Sequence, residues 1–239
     1  MKSRAILLLV SCILLNSCIV KSLFPFYTKE TVHFEESFLG IWEDEKDKNK
    51  SWTVLSIRDI DEAEKKADSN SSKKENDKTF EKYKKGYLAI YETSESKTAF
   101  LVMPFKINDQ LFLDFTPFYF STDESLLDHH LISTHSLAKF DSNSENELSI
   151  KWLSSDKIGE LIKNNYIKIK HEKVGFDEEY LLTASSEELQ KFIKKYMDSS
   201  DENKWKTDVK FNLNKVSTTQ DYDNILKNLV SGKMDDIFN

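Results

Sequence analysis

The chain is poor in cysteine, glycine, proline and arginine, and each shortage removes a class of protein. Cys12 and Cys18 are the only cysteines among 239 residues, so there is neither a disulfide framework nor a thiolate-based metal site. Five glycines and three prolines leave no Gly-rich phosphate loop, no Gly-x-Ser-x-Gly elbow and no paired-histidine zinc motif. Positive charge is also in deficit: the formal net charge is −7, and an acidic surface repels the phosphate backbone of nucleic acid. Arginine occurs only as Arg4 and Arg58. No apolar run reaches the ~18 residues needed for a membrane-spanning helix.

What the N-terminus does contain is an address. Lys2 and Arg4 precede an apolar stretch from Ala5 to Leu15, and small or polar residues follow before Cys18. This is the order of a cleavable secretory signal. The residues Leu15, Asn16, Ser17 and Cys18 resemble the bacterial lipoprotein signal, in which the cysteine thiol carries a diacylglyceryl group and becomes the new N-terminus. The resemblance implies that residues 1–17 are a signal peptide, that Cys18 is the lipidation site, and that several acyl chains hold the protein at a bilayer. Cleavage would leave 222 residues and move the formal charge to −9, because the leader carries Lys2 and Arg4 and no acid. That length suits one domain.

Beyond the leader, residues 18–36 read as a lipidated tether. It becomes progressively apolar through Leu23, Phe24, Phe26 and Tyr27, so it is expected to pack on the domain rather than to act as a bare spacer. A mostly β domain is expected over 37–215. Period-two alternation marks Trp52–Arg58, Tyr87–Tyr91, Thr98–Ile107, Leu111–Phe115, Leu131–Phe140 and Glu147–Leu153 as strands. The short polar turns between them, Asn108-Asp109-Gln110 among them, imply antiparallel hairpins. Pro104 cannot donate to a ladder and is expected at an edge or bulge.

Residues 59–85 are rich in Asp, Glu, Lys, Ser and Asn, and read as a disordered charged loop inserted between two strands. Two helices are expected to flank the sheet. One begins near Ser155 or Asp156; the other opens on Ser185 and Glu188, a capping box, and carries Leu189, Phe192, Ile193 and Tyr196 on one face. Tyr166–Lys170 alternates as a strand, Tyr180–Thr183 extends it or forms another, and Val209, Phe211 and Leu213 alternate again. The tail, 216–239, has helical spacing at Tyr222, Ile225, Leu226 and Leu229.

No catalytic set stands out. His129, His130 and His135 are close in sequence, but on a strand His129 and His135 would stand roughly 20 Å apart while His130 faces the other way. They do not make a zinc site by themselves, and no catalytic, metal or cofactor residue is assigned. Asp114, flanked by Leu113 and Phe115, is the one acid whose surroundings suggest partial burial; alternation assigns it to the polar face of its strand rather than to an apolar site that raises its pKa.

Gly40-Ile41-Trp42 before a series of hairpins resembles the opening of lipocalin and calycin barrels, where the Gly-x-Trp indole lies across one end of the barrel. The resemblance implies that plugging role for Trp42. Lipocalins lay an arginine from a late strand over the indole; here the expected stand-ins are Lys168, Lys170 or Lys210. Leu23–Tyr27, Leu39–Trp42, Leu111–Asp114, His130–Lys139 and Leu181–Phe192 resemble, in turn, a group of uncharacterised bacterial secreted lipoproteins.

The fold class expected is therefore mainly β, an antiparallel, calycin-like barrel or strongly curved sheet of eight to nine strands with two flanking helices. The function expected is non-catalytic. The protein would be anchored in the bacterial cell envelope, at an outer membrane and facing the periplasm, and bind a small apolar ligand, with Phe100, Val102, Phe112, Phe115, Phe118 and Phe120 as the stripe that would line a pocket. The alternative is a scaffold or protein-interaction module with a filled core and no ligand, its partner an envelope protein.

Overall fold

The structure is a computed structural model that describes residues 19–67, 78–118 and 130–231. Cys18, Phe120 and His129 lie outside the described residues.

Eight strands run in sequence around a closed antiparallel barrel: β2 (Gly40–Asp44), β3 (Ser51–Ser56), β4 (Tyr87–Glu92), β5 (Lys97–Ile107), β6 (Gln110–Phe118), β7 (His135–Ser144), β8 (Glu147–Trp152) and β11 (Lys210–Lys215). β11 pairs with both β8 and β2, and this closes the meander. Three outer strands, β1 (Lys21–Ser22), β10 (Glu179–Leu182) and β9 (His171–Val174), continue from the start of β7. Closure leaves the eight-stranded ring without free edges, so its aromatic strands do not offer a template for pairing with other chains.

Alternation builds the layers. In β6, Leu111, Leu113 and Phe115 point into the barrel, where they join Trp42, Trp52, Tyr87, Phe140, Ile150 and Trp152. Phe112 points outward, into a second core shared with the tether residues Phe26 and Tyr27 and the outer residues Met103, Phe105 and Leu137. The turn between β5 and β6 has Asn108 at φ 48° and Asp109 at φ 64°, the two-residue geometry that matches strand twist and that Asn and Asp tolerate. Pro104 lies where β5 has run beyond β4. Its carbonyl accepts from the tether at His33 N (3.0 Å), and Lys106 N donates to Thr31 O (2.9 Å), so the tether takes over the edge that Pro104 borders.

Five α-helices cover the outside among the described residues: α1 (Ile57–Ala67), α2 (Lys78–Tyr83), α3 (Ser155–Lys163), α4 (Ser186–Asp198) and α5 (Thr219–Val230). α3 and α4 place Ile158, Leu189, Ile193 and Tyr196 on the second core, and Ser185 and Glu188 form the capping box of α4. α1 and α2 correct the reading of 59–85 as a disordered charged loop; residues 68–77 lie outside the described residues. The reason is a narrow stripe. Ile60 and Ala63 meet Tyr222, Ile225, Leu226 and Leu229 of α5 over Leu55 and Leu88 of the barrel wall, while the charges face water. A second correction concerns Tyr166–Lys170, which is not a strand: the hairpin is β9–β10, and 167–170 leads into it, with Ile169 buried beneath.

One end of the barrel is a floor. The 3-10 turn Glu36–Phe38 precedes β2 and sets Phe38 against Tyr87 and Phe140, with centroids 5.3 and 5.4 Å apart. Trp42, 1% exposed, donates from Nε1 to Phe38 O at 2.9 Å. The cation over its ring is Lys215, with Nζ 5.3 Å from the centroid; Lys168, Lys170 and Lys210 are not in that position. Lys215 ends the last strand of the ring beside the first, so closure brings it to Trp42. Gly40 is needed at this junction: its φ is +122°, and a Cβ would lie 2.6 Å from Ser217 Oγ and 2.9 Å from Lys215 Cε.

Candidate functional site

The end where β6 finishes, β7 begins and β8 finishes is the mouth, and its ring cluster starts one ladder step from the floor, since Trp52 is the register partner of Trp42. Here Trp52 is surrounded by Tyr91 (4.8 Å between centroids), Phe211 (5.5 Å), Phe115 (5.8 Å), Phe100 (6.0 Å) and Trp152 (6.1 Å). Phe115 and Trp152 also meet at 4.7 Å, and Tyr91 and Phe211 at 5.4 Å. These are ordinary ring-packing separations, so the six rings fill this section of the barrel with one another. Two indole N–H groups are buried here. Trp152 donates to Ser136 Oγ at 3.3 Å, whereas Nε1 of Trp52 has no partner among the described residues.

Of the stripe expected to line a pocket, Phe100, Val102 and Phe115 face the interior. Phe112 faces outward and stacks on Phe105 at 5.6 Å. Phe118 is at the rim and 44% exposed. Phe120 lies outside the described residues. The stripe is therefore divided between two cores, as alternation along β6 requires.

Among the described residues, a buried ionisable pair lies on the outer wall near the mouth. Asp114 is 1% exposed. Its Oδ2 accepts from the backbone N–H of Phe26 at 2.7 Å, and its Oδ1 is 2.7 Å from His135 Nδ1. Thr116 Oγ1 stands 3.0 Å from the same nitrogen. Burial pushes the Asp114 carboxyl above the usual carboxylate range, and His135 together with the Phe26 N–H pull it back. Burial also pushes the nearby Tyr27 phenol up, with the Asp114 charge adding to the effect. This corrects the reading of Asp114 as a residue on the polar face of its strand rather than an acid whose pKa is raised. Asp114 does point away from the barrel interior, but the tether covers that face. The signal was Phe112, a large apolar residue at the next outward position, which meant that the outer wall was covered.

This pair is built as a latch. Both carboxylate oxygens are engaged in tying the tether and β7 to β6, and among the described residues no hydroxyl is bonded to His135 Nε2, where a nucleophile would have to stand. His135 opens β7 opposite Ser22 of β1. His130 is exposed on the segment before it. No group of three or more His, Cys, Asp or Glu side chains with metal-binding geometry occurs among the described residues.

Two clefts open on the outside. One, of about 780 Å³, lies between α3, α4 and the segment 165–170. The other, of about 610 Å³, lies between α1 and α5. Neither was legible from local sequence, because each brings together elements distant along the chain. No family model, no curated protein and no solved structure matches this chain.

Proposed function

We propose that the chain is a non-catalytic, lipid-anchored protein of the bacterial cell envelope whose barrel is a filled frame and whose binding surfaces are on the outside. The observation that carries the filled frame is the six-ring cluster around Trp52, with neighbours at 4.8 to 6.1 Å. Burying aromatic rings against one another gives the barrel its stability without a guest.

The anchored reading rests on the leader and Cys18, and the entry point of the chain supports it. Ile19 bridges to Ser154 beside the mouth, and Val20 N donates to Leu153 O at 3.0 Å. Leu23 and Phe24 follow β1, and Leu131 and Ile132 precede β7, its partner strand, so all four belong to that end. All are exposed, Ile132 at 75%. Grouped exposed apolar side chains favour a membrane or protein surface, and an acylated Cys18 would bring this rim to a bilayer. An outer membrane facing the periplasm is the location proposed. The calycin resemblance remains part of the proposal, supported at the barrel floor by Lys215 Nζ standing 5.3 Å from the Trp42 ring centroid.

A second reading keeps a small apolar ligand at the mouth. The unpartnered Nε1 of Trp52 favours it, since a ligand acceptor would satisfy that donor. Membrane fractionation of cells carrying Cys18→Ser separates anchored from unanchored protein, and native mass spectrometry of the wild-type protein reads the barrel. The proposal expects release of the variant from membranes and a wild-type mass without any non-covalent adduct that depends on Trp52. A variant that stays membrane-bound after a carbonate wash refutes the anchor, and an apolar adduct lost on Trp52→Phe refutes the filled frame.

A further inference from the structure

The cleft between α3, α4 and segment 165–170 combines an apolar floor with a lysine-rich rim. Leu161, Ile167, Phe192 and Tyr196 line its interior, and its volume is about 780 Å³, within the range of small-molecule sites. Two acids and four lysines border it. Both acids are already committed. Glu188 accepts from the Ser185 backbone N–H at 3.0 Å and pairs with Lys170 at 3.4 Å. Asp201 pairs with Lys157 at 2.8 Å and accepts from the Asn203 N–H at 2.8 Å. Lys168, Lys191 and Lys195 remain, exposed and without a carboxylate at ion-pair distance among the described residues. Three uncompensated cations around an apolar floor stand out on a chain of net charge −7.

We propose that this cleft binds an amphipathic anion, a single acyl chain ending in a carboxylate or phosphate. The chain would lie on Phe192, Ile167 and Leu161, and the head would be held by the three lysines. Long lysine stems cover apolar surface while their ammonium groups reach the head. The proposal rests on the reading that binding occurs outside the barrel. Because the cations are exposed, the head-group contribution falls as salt rises.

The test is photolabelling of the full chain in a non-ionic detergent with a diazirine-bearing dodecanoate, followed by peptide mapping. The expected label falls on peptides spanning 161–169 and 191–196. Dodecanoate should compete at least tenfold better than its methyl ester, and inorganic phosphate should not compete. Lys191→Ala with Lys195→Ala, and separately Lys168→Glu, should each cut labelling at least fivefold with the thermal melt unchanged. Lys66→Ala, in the other cleft, should have no effect.

Equal competition by acid and ester, labelling untouched by the lysine variants, or no label in these peptides overturns the proposal and leaves the filled frame standing. Protection by anionic phospholipid vesicles, with none by dodecanoate, also overturns it in favour of docking on a bilayer. Label on peptides carrying Trp52, Phe100 or Trp152 instead overturns the filled frame itself.

Discussion

Asp114 is the most exacting place to perturb this molecule, because one buried side chain holds two elements to a third. In Asp114→Ala the Phe26 N–H, which donates to Oδ2 at 2.7 Å, loses that acceptor, and His135 loses its carboxylate. An unsatisfied buried donor costs about 1–3 kcal/mol, and the His135 ring nitrogen loses a hydrogen-bond partner as well. These penalties overlap, so a total near 3 kcal/mol is expected. Asp114→Asn keeps a side-chain oxygen for Phe26 and an N–H₂ that can donate to His135 Nδ1, so about 1 kcal/mol is expected. Urea denaturation at fixed pH measures both, and hydrogen exchange should show that the alanine variant loses protection first over residues 20–34.

The pH dependence has a definite sign. The folded-state pKa of Asp114 is raised above its ordinary 3.8, so ionisation is harder in the folded than in the unfolded chain. The stability that this group contributes is therefore greatest below 3.8 and declines as pH rises from there through the folded-state value. The advantage of wild type over Asp114→Asn should narrow over that window. Equal losses for the alanine and asparagine variants, or an advantage that widens with pH, would refute the latch.

Three further predictions concern the floor and the helices. Lys215→Ala should cost about 0.5–1 kcal/mol, the range of an exposed cation–π contact, and Lys215→Arg should recover it; chemical melts read both. Leu226→Ala should destabilise by about 2 kcal/mol or more by emptying the contact between α1 and α5, and exchange should rise over Ile57–Ala67 as well as over α5, whereas wild-type exchange at random-coil rates in Ile57–Ala67 would contradict the helix. Ser185→Ala removes a capping-box partner of α4 and should cost about 1 kcal/mol, visible as a lower melting temperature.

Features set by near neighbours were legible in the sequence. Alternation in Leu111–Phe115 and Tyr87–Tyr91 located strands, Asn108-Asp109 located the tight turn, and Ser185 with Glu188 located the start of α4. Features set by distant partners were not. Ile60 and Ala63 are too sparse an apolar stripe to announce a helix, and α1 packs only because α5 arrives from far along the chain. Tyr166–Lys170 alternates like a strand, but a strand needs a paired neighbour, and that pairing goes to His171–Val174. Asp114 was suspected of partial burial, yet its neighbours in sequence belong to the barrel wall, whereas the group that buries it is the tether, 88 positions away at Phe26. Lys215 was overlooked because ring closure, not sequence proximity, sets it on Trp42. Nothing in the local pattern reveals the lysine-rimmed cleft, whose lining comes from α3, α4 and the segment between α3 and β9.

Intact mass spectrometry of the protein extracted from its native envelope tests the central claim most directly. The account predicts a polypeptide beginning at Cys18 that carries covalent acyl mass. A chain that still begins at Met1 with an unmodified Cys18 would contradict it.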